Sequence, residues 1–274
     1  MATVAGVFSF RERRPDQLSG TPRAGFIDRW IFVAMAAWLI FVVLVGFIPD
    51  AIMKVGLVRA GLRPPFPLVM HAHAVLMGSF MVLLFAQAWL MATGRRELHM
   101  RVGIAAFALV PLLVLAGFIL APTMYHQLWN TLQSAPAGAR AQLQQRLGVV
   151  EDILLLQIRA GILFPAFVAI GLKARAGNAG VHKRMMFLAP AAALGAAIDR
   201  MTWLPNTLPA SAVGSDLWEV AAISPLLVWD IVRNRRIHEA YWIWLALSLP
   251  AALAVYSLWD KPWWHTTARA IMGV

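Results

Sequence analysis

Apolar residues gather in seven runs separated by polar stretches, at 30–48, 68–93, 102–121, 153–172, 185–204, 217–232 and 240–258. Each is long enough, or nearly so, to cross a hydrocarbon core about 30 Å thick as a helix. The sixth is the shortest, and Asp216 followed by Glu219 predicts a capping box at its start. The stretch Arg63-Pro-Pro-Phe-Pro67 precedes the second run. Proline is tolerated in a first helical turn, so the stretch reads as a start signal. Two connections, 94–101 and 233–238, are short and basic, and a third, 173–184, is slightly longer. They predict hairpins pairing the second run with the third, the fourth with the fifth and the sixth with the seventh. The longest connection, 122–150, sets Leu128, Leu132, Leu143 and Leu147 among Gln and Arg. That spacing predicts short amphipathic helices lying at the membrane interface. The fold class is therefore all-α, a polytopic bundle of seven transmembrane helices. A polar basic tail spans 1–28, the membrane domain 29–260 and a short C-terminal tail 261–274.

Composition agrees. Of 274 residues, 60% are hydrophobic and 14% charged, against about 45–50% and 25% in a soluble domain. There is no cysteine, which excludes disulfides, thiolate metal sites, iron–sulfur clusters and cysteine nucleophiles. Any bound cofactor must be held by the seven His, by carboxylates, Met or Tyr. The first residues lack the short apolar core and small-residue cleavage site of a signal peptide. No HExxH, GxSxG, P-loop or GxGxxG occurs, so metalloprotease, hydrolase and nucleotide-binding readings have no support. The seventh run contains no lysine, so it cannot carry a retinal Schiff base.

The net charge of +11 does not point to nucleic acid, because Lys and Arg cluster at the ends of the apolar runs. With the N-terminus inside, fifteen of them face the cytoplasm: Arg11, Arg13, Arg14, Arg23 and Arg29, then Arg95, Arg96 and Arg101, then Lys173, Arg175, Lys183 and Arg184, then Arg233, Arg235 and Arg236. Seven face the other side: Lys54, Arg59, Arg63, Arg140, Arg146, Lys261 and Arg269. That bias places the N-terminus in the cytoplasm and the C-terminus outside. Arg159 and Arg200 fall within apolar runs.

This topology sorts the histidines into two layers. His71, His73, His126 and His265 lie toward the outer face, together with Glu151, Asp152, Asp199 and Glu219. His99, His182 and His238 lie toward the cytoplasm, at three helix starts that share a weak repeat: Leu98-His99, Val181-His182 and Ile237-His238. On the second helix His73, Phe80 and Gln87 recur every seven residues and share one stripe, whereas His71 points away from it. Asp152 and Arg159 are seven residues apart and share a face, as do His182 and Arg200 across five turns. Ionisable groups within a membrane are costly and face the bundle interior with a partner. Arginine can pair the propionates of a haem b that takes axial histidines. His73, His126, His265, Arg159 and Arg200 are therefore the candidate cofactor-binding residues. His99, His182, His238 and Asp230 are a candidate metal site.

Several segments resemble an uncharacterised family of bacterial multi-spanning membrane proteins with LHxRxG and HKR motifs. The matching features are His73, Gln87, Ala92-Thr-Gly-Arg-Arg-Glu-Leu-His99, Arg101-Val-Gly103, His182-Lys-Arg-Met185, Asp199-Arg200, Asp230 and Arg236-Ile-His238. Phe80 stands where the resemblance implies an aromatic residue, often Trp. The resemblance implies a multi-pass protein of the bacterial inner membrane and supplies no activity.

Two functional classes remain. One is a membrane-embedded redox or cofactor-binding protein, carrying haem b or a divalent metal or passing electrons to quinone. The other is a non-enzymatic transport, sensing or accessory protein whose polar seam binds a small ligand or stabilises the bundle. The expected partners are the lipid bilayer and a small hydrophobic ligand or quinone, with no nucleic acid. The topology is checked with a reporter active only outside the cytoplasm: fused after Val274 it is expected to work, and inserted in the Arg95 loop to fail. The reverse pattern inverts the orientation and exchanges the two histidine layers.

Overall fold

A computed structural model describes residues 16–274. Arg11, Arg13 and Arg14 of the basic tail lie outside the described residues. The described chain is all-helical. Five segments are long and apolar enough to cross a membrane. They are α1 (Phe26–Arg59), α2 (Leu68–Ala92), the segment formed by α3 (Arg96–Gly103) and α4 (Ala106–Gln133), α5 (Ala137–Ala174) and α9 (Glu239–Leu258). The remaining elements are α6 (Ala179–Ala191), α7 (Gly195–Ile198), α8 (Val213–Asn234) and α10 (Pro262–Met272).

The runs at 185–204 and 217–232 account for the difference from seven. The first is interrupted. Helix α6 stops at Ala191 and the single turn α7 begins at Gly195, in a stretch containing Pro190 and Gly195. Proline lacks the N–H that continues a helix, and glycine weakens its interior. The second run lies within α8, whose 22 residues include Asp216, Glu219, Asp230 and Arg233, too polar for the apolar class. Neither acid makes the expected capping box, because α8 starts at Val213 with Ala212 at its N-cap. The start of α2 at Leu68, with Pro67 at its N-cap, is as expected.

The 122–150 connection also differs. Instead of separate interfacial helices, α4 continues through Pro122 to Gln133 and α5 begins at Ala137. At 1.5 Å per residue the 38 residues of α5 extend about 57 Å, well beyond a hydrocarbon core. Leu132 and Leu147 are buried, not surface-lying. They join Tyr125, Trp259, Trp264 and Ala268 in a second core at the α10 end of the bundle. The main core is built from α1, α2, α4, α5, α6, α8 and α9. Phe80 of α2 meets Phe164 of α5 edge to face, with ring centroids 5.1 Å apart. Phe41 on α1, Val75 and Val82 on α2, Leu115 and Phe118 on α4, and Leu253 on α9 stay exposed. So many outward apolar side chains suit lipid, not water.

The tail contributes to the bundle. Leu18 is fully buried and Asp16 nearly so. Helix α1 meets α7 at a point that only glycine allows: a Cβ on Gly46 would lie 2.2 Å from the Ala197 carbonyl oxygen. Gly46→Ala is therefore expected to push α1 off α7 and to destabilise by about 1–3 kcal/mol. Gly56→Ala, where a Cβ meets nothing within 4 Å, is the matched control. Thermal unfolding in mild detergent checks this, and equal transition temperatures for the two variants refute it.

Candidate functional site

Four groups of polar side chains inside the bundle bear on the candidate residues, each drawing on several elements. At the basic end Arg184 is fully buried. It donates to Asp230 of α8 through Nε and Nη2, to Asp16 of the tail at 2.9 Å and to the Gly180 carbonyl at 2.9 Å. Lys183 also pairs with Asp16, at 2.5 Å. Burial alone would raise the Asp16 carboxyl, but Arg184 and Lys183 outweigh it and hold the group far below the usual carboxylate range. His238, at the N-cap of α9, accepts from the Ala240 N–H at 3.1 Å. Burial, reinforced by the Arg184 charge, pushes its imidazole down to about 3, so it is neutral at pH 7.

The candidate metal set is divided by this arrangement. Asp230 is taken up by Arg184 and also accepts from Asn234, so its oxygens are not free for an ion. His99 and His182 do meet, ring centroid to centroid at 6.3 Å and nearly perpendicular. His182 Nδ1 lies 2.8 Å from the Gly171 carbonyl and His99 Nδ1 3.3 Å from that of Gln87. Gln87 has a further role. With its amide oriented so that Oε1 accepts from the Gly103 N–H at 3.1 Å, its Nε2 donates to the His99 carbonyl at 3.0 Å. The side chain satisfies backbone groups where α3 gives way to α4. The stripe of His73, Phe80 and Gln87 does turn inward, with Phe80 buried, the other two half-buried and His71 exposed.

Deeper in the bundle, Arg159 has the partner the sequence did not assign it. Its two terminal nitrogens donate to the two oxygens of Asp216 on α8, one of them at 2.8 Å, and the Tyr256 hydroxyl donates to the same carboxylate. Asp152, the expected partner, accepts instead from the Asp260 N–H at 2.9 Å. Beside Asp216, Glu219 is buried and accepts from the Gly195 N–H at 3.0 Å, a donor freed by the interruption between α6 and α7. That interruption also removes the straight five-turn face expected for His182 and Arg200. Arg200 turns to Asp50 on α1, at 3.1 Å, and sits over the Phe47 ring.

The fourth group closes the end opposite the basic loops. Glu151 is fully buried. It accepts from the Tyr125 hydroxyl at 3.0 Å and Arg269 Nε at 2.8 Å, and lies 2.9 Å from His265 Nδ1. The Trp264 indole donates to its carbonyl. His126 packs against Tyr125, and His73 Nδ1 is buried without a hydrogen-bond partner among the described residues, its ring close to Gly117. Thus the five candidate cofactor residues do not share a partner: Arg159 is held by Asp216, Arg200 by Asp50 and His265 by Glu151.

Sequence reading missed Asp16, Asp50 and Asp260, and gave Asp216 the wrong role. The signal was present for Asp260, a charged residue just past the seventh apolar run and five before His265. No family model, curated protein or solved structure matches this chain.

The Arg159–Asp216 pair yields a direct test. Arg159→Leu leaves a buried carboxylate uncompensated, which costs about 3–5 kcal/mol. Arg159→Leu combined with Asp216→Leu is expected to recover much of that loss in thermal unfolding. A neutral Arg159→Leu variant means that the guanidinium reaches water and the pair does not form.

Proposed function

We propose that the chain is a non-enzymatic transport or sensing protein of the bacterial inner membrane whose polar seam exchanges a proton or small cation. In this reading it crosses seven times with its N-terminus in the cytoplasm. Helix α8 is the sixth crossing, and α6 with α7 forms an interrupted fifth. The charge bias of the loops and the family resemblance support the topology and location.

One observation carries the function: the buried Glu219 carboxylate at the interruption between α6 and α7. Irregular backbone at membrane depth is tolerated where protein buries it or where it lines a cavity, and broken helices form the ion and substrate sites of many transporters. Arg159 is already matched by both oxygens of Asp216. Glu219 is a surplus acid held by one backbone N–H. An ionised carboxylate without a counter-charge is expensive away from water, so it takes up a proton or a cation. The haem reading has less support, because the arginines assigned to propionates each carry a carboxylate of this chain.

A membrane-permeant carbodiimide tests the reading, because it adds to protonated carboxyl groups and leaves a stable acylurea. In native membranes dicyclohexylcarbodiimide is expected to label Glu219, identified by peptide mass spectrometry. Labelling should fall as pH rises and disappear in Glu219→Gln. Absence of label on Glu219 across the pH range removes the exchange site and the reading with it.

A further inference from the structure

At the end opposite the basic loops, three side chains from separate elements converge. Asp152 comes from the buried face of α5, Asp260 from the turn between α9 and α10, and His265 from the first turns of α10. One ligand-type atom from each lies within 4.8 Å of the other two. We propose that Asp152, Asp260 and His265 form a binding site for a first-row divalent metal ion of the zinc or manganese class. The site is separate from the Glu219 seam and does not depend on it.

The orientation of the histidine points to a metal. His265 Nδ1 faces Glu151 Oε2 at 2.9 Å, and that carboxylate is fixed by Tyr125 and Arg269. Nδ1 makes no hydrogen bond within the described residues, but the carboxylate beside it favours the proton there and the lone pair on the other nitrogen, the tautomer that metal-ligating histidines commonly use. The free nitrogen, Nε2, lies 3.7 Å from Asp260 Oδ1. Two donors each bonded at about 2.0–2.2 Å to one ion stand about 3–4 Å apart, so the pair has ligand spacing before any ion enters.

Asp152 is the second, independent indication. It is 5% exposed, yet it accepts a single hydrogen bond, from the Asp260 N–H, and among the described residues its carboxylate forms no ion pair. Glu151 beside it, and Asp216 and Asp230 elsewhere in the bundle, each hold an arginine. A buried carboxylate with one donor lacks the compensation its environment demands. A divalent ion supplies it. The turn is shaped for the same purpose. Asp260 adopts a left-handed backbone with φ of 55°, which aspartate tolerates better than most residues. That conformation delivers its N–H to Asp152 and keeps its own carboxylate in the group.

One nitrogen and two carboxylates suit zinc, manganese or ferrous iron better than calcium or magnesium, which favour oxygen alone. Three protein ligands leave a coordination position open, and the Asp260 side chain is 87% exposed, so that position faces the aqueous end. A bound ion would tie α5 to the α9–α10 turn, and a ligand that binds only the folded state raises its stability.

The experiment uses the full chain in mild detergent, without a polyhistidine tag and stripped with a chelator. Zinc is expected to bind at one ion per chain by equilibrium dialysis and elemental analysis, and to raise the unfolding temperature. Magnesium at equal concentration should do neither. Cobalt should give visible absorption bands as a spectroscopic substitute. His265→Ala and Asp260→Asn should each weaken zinc binding by about tenfold or more and abolish the cobalt bands. Asp260→Asn keeps the left-handed turn available and guards against a variant that merely fails to fold. His71→Ala, an exposed histidine elsewhere, should bind as wild type does. A wild-type protein that takes up no zinc, or triad variants that bind it unchanged, overturns the proposal.

Discussion

Arg184 is the largest fully buried side chain among the described residues, and three parts of the chain are arranged around its charge. The N-terminal tail supplies Asp16, α8 supplies Asp230, and the first turn of α6 supplies the Gly180 carbonyl. A guanidinium withdrawn from water is tolerated only when its donors are matched. The position of the tail, the start of α6 and the end of α8 therefore follow from one residue. The same requirement recurs at Arg159, which joins α5 to α8, and at Glu151, which joins α4, α5 and α10. Apolar packing makes these helices compact, and ion pairs select some of the neighbours, α5 with α8 and α10 and α6 with α8. In lipid that selection matters more than in water, because the tails around a helix are as apolar as its neighbours.

Some of the costly residues were legible in the sequence, whereas Asp16 and the burial of Arg184 were not, and neither were the pairings. Arg159 was recognisable as an arginine inside an apolar run, and its partner was sought seven residues away on its own helix. The actual partner is 57 residues distant, and nothing in helical periodicity reaches that far. The inward stripe of α2 was readable because it depends on one helix alone. The interruption after Ala191 was missed for a different reason. Counting apolar residues treats Pro190 and Gly195 as equivalent to leucine, although both weaken a helix interior. At Pro122 the error ran the other way: the third apolar run was ended just before it, but α4 passes through it, as α1, α5, α8 and α9 pass through Pro49, Pro165, Pro225 and Pro250.

The candidate sites show the same division. His265 stood out in the sequence as a histidine of the outer layer, but its significance comes from Glu151 behind it and Asp152 and Asp260 in front. Those three belong to α5 and to a turn more than a hundred residues later. Glu219 could be read as a capping acid from its distance to Asp216, until the broken helix presented a free N–H from a remote segment. Local spacing identifies donors and acceptors, and tertiary structure assigns them.

The two cores bear on how the molecule comes apart. The main core and the smaller one around Tyr125, Leu147 and Trp264 are distinct clusters, although α4, α5 and α9 run through both. Cooperative units of unequal stability open separately, the weaker more often. Among the described residues the small core has fewer buried members than the main one, so, despite the Glu151 clamp, the α10 end is expected to loosen while the helices beneath it stay packed. An order of fraying is expected, in which backbone amides of α10 exchange with solvent before those of α6 and the buried centre of α1.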